Sequence, residues 1–223
     1  MTEKEKVSKT IKAVLDTETL DTIPTSVLLS AGFVIYDESK LDSFDSLLES
    51  GENVVFDIQP QLDTGRSVSA STLSFWMDQG RSAKDKLFKG KSTPDHLIGM
   101  IESVTRKFFN IPDSEEIEYD NQGRIKLLKD VKIQVRGQDF DIPLVNNFLM
   151  QYGFNTPFNY SKSRDLRTIY DENNFDYHAY EKLNKPKNFI KHNSLHDSAF
   201  DAFMLQRMRN LPEDFSKIDL ESK

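Results

Sequence analysis

The sequence predicts an α/β fold in which a mixed sheet is flanked by helices within one domain. Three observations lead there. Apolar runs rich in β-formers come early, at residues 11–15 and 27–36, and a polar–apolar alternation returns at 130–135. Segments of helical period fill the middle and the end of the chain. No Gly/Ser/Pro-rich linker separates these blocks, so strands and helices are expected to share one core across residues 1–223.

Residues 1–9 read as a polar arm. The run 11–15 (IKAVL) reads as a buried strand ending at Asp16, and 27–36 (VLLSAGFVIY) as a second, central strand. A third strand is expected within 43–58, a region that reads equally as an extended hairpin or a short helix around Gly51. Ser71 and Thr72 offer N-caps to a helix that runs to Gly80. Pro94 opens another over 96–109, because proline loses nothing in a first helical turn. Strand 130–135 follows, and then a helix within 139–153 between Pro143 and Gly153. Residues 165–171 form a short helix or turn, 172–191 are irregular, and 194–209 form an amphipathic helix. A solvated tail is expected from Pro212 to the end.

The chain has 223 residues, 29 Lys+Arg against 36 Asp+Glu, a formal net charge of −7, and no Cys. The missing Cys excludes disulfides, Cys-ligated zinc and a cysteine nucleophile, and is compatible with a cytoplasmic setting. The acidic balance argues against wholesale coating of nucleic acid, which draws on excess Lys and Arg. No stretch approaches the roughly 20 apolar residues of a spanning helix, and the N-terminus lacks the apolar core of a signal segment, so no membrane association is expected.

Chemistry enters with the acids. Asp16 and Glu18 stand two apart on a strand and so share a face, where like charges repel unless a cation lies between them. Oxygen ligands suit Mg²⁺ or Mn²⁺. Asp139 and Asp141 follow a late strand and Gly137, where an acid is either a third ligand or an N-cap. Ser194 and Asp197 have capping-box spacing, so Asp197 is either a cap or a ligand, with Asp201 the alternative acid one turn on. His192 precedes that helix, where a neutral imidazole can take a proton from water, and His196 is its rival.

The order of these pieces resembles the DEDDh group of 3′–5′ exonucleases, with the DnaQ-like, ribonuclease H-like fold. A closer likeness, to the exonuclease A proteins of T-even-type bacteriophages, runs through five stretches: Asp16-Thr17-Glu18, residues 71–76, 136–141 and 164–168, and His192 through Asp201. The resemblance implies a central mixed sheet of five strands. It implies that Asp16, Glu18, Asp141 and Asp197 hold two Mg²⁺ ions (Mn²⁺ substituting), with Asp16 bridging, and that His192 is the general base. Asp139 and His196 fall off the motif. The implied reaction is two-metal hydrolysis of single-stranded DNA from its 3′ end to nucleoside 5′-monophosphates. RNA is the alternative substrate, and a non-catalytic nucleic-acid-binding domain the alternative class. For a protein of phage origin the setting would be the host cytoplasm. Substrate contacts are expected from Thr17 and Gln79 at the 3′ end, and from Trp76, which either stacks on a base or packs in the core. Arg136, Arg164 and Arg167 are expected either at phosphates or in structural pairs with Asp.

Overall fold

The computed structural model describes residues 10–210, so the tails expected at 1–9 and 212–223 lie outside the described residues. A five-stranded sheet in the order β3-β2-β1-β4-β5 forms the centre. β1 (Ile11–Thr19) pairs antiparallel with β2 (Leu28–Asp37), and β2 antiparallel with β3 (Glu52–Val55). On its other side β1 runs parallel to β4 (Lys132–Val135), and β4 parallel to β5 (Ser163–Asp165). The sheet is therefore mixed, as the sequence predicts.

The helices are α1 (Phe44–Ser50), α2 (Gln59–Asp63), α3 (Ala70–Asp78), α4 (Arg81–Leu87), α5 (Asp95–Phe109), α6 (Asp141–Gln151), α7 (Leu166–Glu172), α8 (Tyr177–Asn184) and α9 (Ser194–Asn210). Alternation along β1 decides which face each helix covers. Ala13 and Leu15 meet Ile101 of α5 and Phe148 of α6 on one face. Val14 meets Phe44 of α1, Leu166 of α7 and Phe200 of α9 on the other. None of the described helices is long and apolar enough to cross a membrane.

Several element boundaries differ from the sequence reading. The first strand does not end at Asp16: its ladder with β2 continues to Thr19, so Asp16 and Glu18 lie within the strand. The ambiguous region 43–58 holds both a helix and a strand, with Ser43 capping α1 through the Ser46 N–H. Helices α2, α4 and α8 were not anticipated. α8 lies inside the stretch read as irregular, where Asp176 caps it by accepting from the Ala179 N–H. These helices are short and mostly polar, so they carry little periodic signal.

Gly32 fixes how α9 meets the sheet. It stands opposite Asp16 in the β1–β2 ladder. A Cβ there would lie 2.2 Å from the backbone C and O of Ser194, so the helix start rests directly on the strand. The Ser198 hydroxyl donates to the Gly32 carbonyl at 3.0 Å, which pins the first turn.

Gly32→Ala is expected to destabilise the fold by about 1–3 kcal/mol, because backbone has to move. Gly99→Ala, in the middle of α5 with nothing within 4 Å of the added carbon, is expected to gain about 0.5–1 kcal/mol. Thermal melts of the two variants check this: opposite signs are expected, and a neutral Gly32→Ala would remove the close-approach constraint.

Candidate active site

Asp16 and Glu18 follow Val14 on the β1 face that α9 covers, and their ladder partners on β2 are Gly32 and Ser30. Because Gly32 admits the start of α9, Asp197 arrives over the same face. Carboxylate oxygens of Glu18 and Asp197 and a ring nitrogen of His192 all lie within 4.8 Å of one another. His192 Nδ1 is 3.9 Å from Glu18 Oε1.

Asp141 reaches the site from the first turn of α6. Thr17, on the opposite face of β1, donates its hydroxyl to Asp141 Oδ1 at 2.5 Å. The turn leading in is closed by the Phe140 and Asp141 N–H groups on the Gly137 carbonyl, and Gly137 does not use the left-handed region. Asp139 is exposed, which leaves Asp141 as the acid of this pair at the site.

The capping reading of Asp197 is replaced by another residue. Asn193 caps α9: its side chain accepts from the His196 N–H at 3.2 Å, and its carbonyl accepts from the Asp197 N–H at 2.8 Å. Ser194 Oγ is buried without a hydrogen-bond partner, and the Asp197 carboxylate is left for the site. Asp201 is withdrawn from it. Arg136 Nε donates to both Asp201 oxygens, at 3.0 and 2.8 Å, and the guanidinium lies 4.2 Å over the Tyr177 ring.

Electrostatics mark the same residues. Burial, then the charges of Asp197, Glu18, Asp141 and Asp201, hold the Asp16 carboxyl well above the usual carboxylate range. Burial, Asp197 and Asp141 do the same for Glu18. Burial lifts Asp141 to about 6 against the Thr17 hydroxyl, the Gly137 and Thr17 backbone and the charge of Arg167. Burial and Asp201 lift Asp197 to about 7 against Arg136, the His192 backbone and Lys191. Asp16 Oδ2 is buried with no hydrogen-bond partner. An orphaned carboxylate oxygen among mutually repelling carboxylates fits a divalent cation with oxygen ligands.

The two histidines part company. His192 is in the left-handed region, φ 61°, and its ring packs edge-on against Phe75 at 5.0 Å and Trp76 at 6.1 Å. The His196 ring turns toward Phe44, 5.8 Å away, and its Nδ1 accepts from the Ile190 N–H. Burial first, then lysine charges, lowers the pKa of both.

The expected substrate contacts divide as well. Trp76 is 2% exposed and donates its indole N–H to the Thr19 carbonyl at 2.8 Å, so its reading as a stacking platform gives way to core packing. Its neighbour Phe75, which the sequence does not separate from Trp76, is the exposed one of the two, 41% exposed against the His192 ring. Exposure set against burial one position along a helix was its only signal. Thr17 is committed to Asp141, Gln79 donates to the Phe75 carbonyl, and Arg164 to the carbonyls of Ser161 and Ser163. Arg136 takes the structural role through Asp201, while Asp165 caps α7 and pairs with neither neighbouring arginine. Arg167 is exposed, and its charge is felt at Asp141.

A family model described as "3′-5′ exoribonuclease Rv2179c-like domain" matches residues 11–208. No curated protein matches the chain. Among solved structures, the chain is similar to the nuclease domain of 3′hExo, a DEDDh family member bound to rAMP. The TM-score is 0.52 at 12% identity, over 89% of this chain and 91% of that one. It is also similar to S. pombe Pop2p in its Mg²⁺- and Mn²⁺-bound form, with TM-score 0.57 at 11% identity, over 95% and 88%. The fold is the ribonuclease H-like fold of these nucleases.

Carboxyls raised in the folded state stabilise it fully below their unfolded pKa of roughly 4 and lose that contribution as pH rises through the folded values. With Asp141 at about 6 and Asp197 at about 7, the melting temperature in chelator is expected to fall from pH 5 to pH 8. Asp197→Asn is expected to flatten that slope. A wild-type curve that rises over the same range would contradict this electrostatic picture.

Proposed function

This chain belongs to the Rv2179c-like 3′–5′ exoribonuclease domain family, which makes it a 3′–5′ exonuclease, and we propose that it shortens single-stranded RNA from the 3′ end, releasing nucleoside 5′-monophosphates. The observation that carries the chemistry is the convergence of Asp16, Glu18, Asp141 and Asp197, all with raised pKa, around a buried carboxylate oxygen that has no partner. The family description supports RNA as substrate. The likeness of five sequence stretches to the phage exonuclease A proteins keeps DNA as the competing substrate.

In this reading Asp16, Glu18, Asp141 and Asp197 would hold two Mg²⁺ ions, with Mn²⁺ able to substitute. When bound, these supply a water of lowered pKa and offset charge at the leaving oxygen. The residues of the chain do the rest. Thr17 holds Asp141 through its hydroxyl, and Asn193 holds the helix start that carries Asp197. His192 takes the proton of the attacking water. Its lowered pKa keeps the imidazole neutral at pH 7, as a base requires. Phe75 offers a ring to the terminal base, and Arg167 a guanidinium to a phosphate.

Matched end-labelled RNA and DNA strands digested with Mg²⁺ test the reading. Stepwise loss from the 3′ end, faster on RNA, is expected; faster loss of DNA would reverse the substrate assignment, and an inert protein would defeat the reading. Asp16→Asn and Asp197→Asn are expected to abolish release while the fold persists. His192→Ala is expected to slow turnover by roughly 10²–10⁴-fold. His196→Ala is expected to leave turnover within a few-fold, and the opposite ranking would transfer the role of base.

A further inference from the structure

We propose that residues 84–91 and the groove beside them hold the sugar–phosphate backbone of the substrate strand upstream of the bond being cleaved. This rests on the exonuclease reading above and adds a path for the strand away from the site. The chain is acidic, yet Lys84, Lys86, Lys89 and Lys91 fall within eight residues that contain one acid, Asp85. Lys84 donates to the Met77 carbonyl at 2.8 Å and so ties the end of α3 to α4. Lys86, Lys89 and Lys91 are exposed, and no carboxylate pairs with them among the described residues.

These three lysines line one open groove of about 600 Å³, floored by Val54 and Val55 of β3 and by Met100 of α5. Two acids also line it: Asp85, against which the three lysines stand in excess, and Glu52, which is already paired with Lys107 at 3.2 Å and accepts from the Ser103 hydroxyl. The groove therefore keeps an excess of positive charge in a protein that is negative overall.

An aromatic chain connects this groove to the acids. Phe88, 40% exposed, lies between the lysines, and its ring centroid is 6.1 Å from that of Trp76. Trp76 in turn is 6.1 Å from His192, and Phe75 is 5.0 Å from the same ring. Exposed rings followed by unpaired cations are the means by which proteins grip single strands without reading sequence: bases lie on the rings and phosphates meet the lysines.

The test compares wild type with a Lys86→Gln/Lys89→Gln/Lys91→Gln variant, with Lys129→Gln as a control for loss of charge elsewhere. Two substrates separate the terms: a dinucleotide, and a fluorescent phosphorothioate strand of about 20 nucleotides whose binding in Mg²⁺ is followed by anisotropy. The triple variant is expected to bind the long strand about tenfold more weakly. Its slope of log affinity against log salt is expected to be shallower by about 2, since each phosphate contact on a single strand contributes roughly 0.7. Dinucleotide hydrolysis is expected to be unchanged, because a dinucleotide does not reach the groove. Equal strand binding by wild type and triple variant would overturn the proposal, as would an equal loss in Lys129→Gln. Should wild type fail to shorten end-labelled strands while strand binding still depends on these lysines, the exonuclease reading fails and the groove stands.

Discussion

The approach of α9 to β2 at Gly32 is the contact on which the rest of the site depends. β1 and β2 keep one register from Ile11 to Glu18, so the residue opposite Asp16 decides what can sit above it. Because that residue has no side chain, the backbone of Ser194 occupies the space a Cβ would take. The first turn of α9 then delivers Asp197 to Asp16 and Glu18, and the residues just before it deliver His192. The acidic site is thus a consequence of backbone packing on the sheet.

The acids gathered there are not equivalent, and their hydrogen bonds sort them. Asp201 has a guanidinium forked onto it and a tyrosine ring covering that guanidinium, so it is a neutralised part of the core. Removing Arg136 would leave the buried Asp201 carboxylate without its counter-charge, which is the costly way to break such a pair. Asp141 is half-compensated by Thr17, nearby backbone and Arg167. Asp16 and Glu18 receive no comparable support, and burial and neighbouring carboxylates hold both carboxyls well above the ordinary range. This gradient from compensated to uncompensated acid separates structural from functional carboxylates more sharply than exposure does, since all of these groups are largely buried.

Much of this arrangement was legible in the sequence. Strict alternation along 11–18 placed Asp16 and Glu18 on one face whether or not the strand ended there. The fifth strand was legible only through the family resemblance, because β5 is too short to show a period of its own, whereas β3 falls in the region where a third strand was expected beside a possible helix. The choice between cap and ligand at Asp197 was open because a box of the form S-x-x-D satisfies both, and the decisive cap, Asn193, lies one residue before that box. Arg136 could not be assigned because its partner is 65 positions away. Trp76 and Phe75 could be separated only by knowing which way α3 faces, and helical period says that the two diverge without saying which turns inward.

The histidines show how backbone conformation settles what composition leaves open. Both lie near the start of α9, and both have their pKa lowered by burial and nearby lysines, so titration does not distinguish them. His196 belongs to the helix, and its ring follows the apolar stripe toward Phe44 and Phe189, where Nδ1 is occupied by the Ile190 N–H. His192 stands before the first helical turn in a left-handed conformation that costs a non-glycine residue roughly 1–2 kcal/mol. In exchange its ring leaves the helix axis, enters the wall of Phe75 and Trp76, and brings Nδ1 within 3.9 Å of Glu18. That backbone angle sets the ring beside the acids, which ties the candidate base to the candidate ligand set by geometry rather than by proximity in sequence.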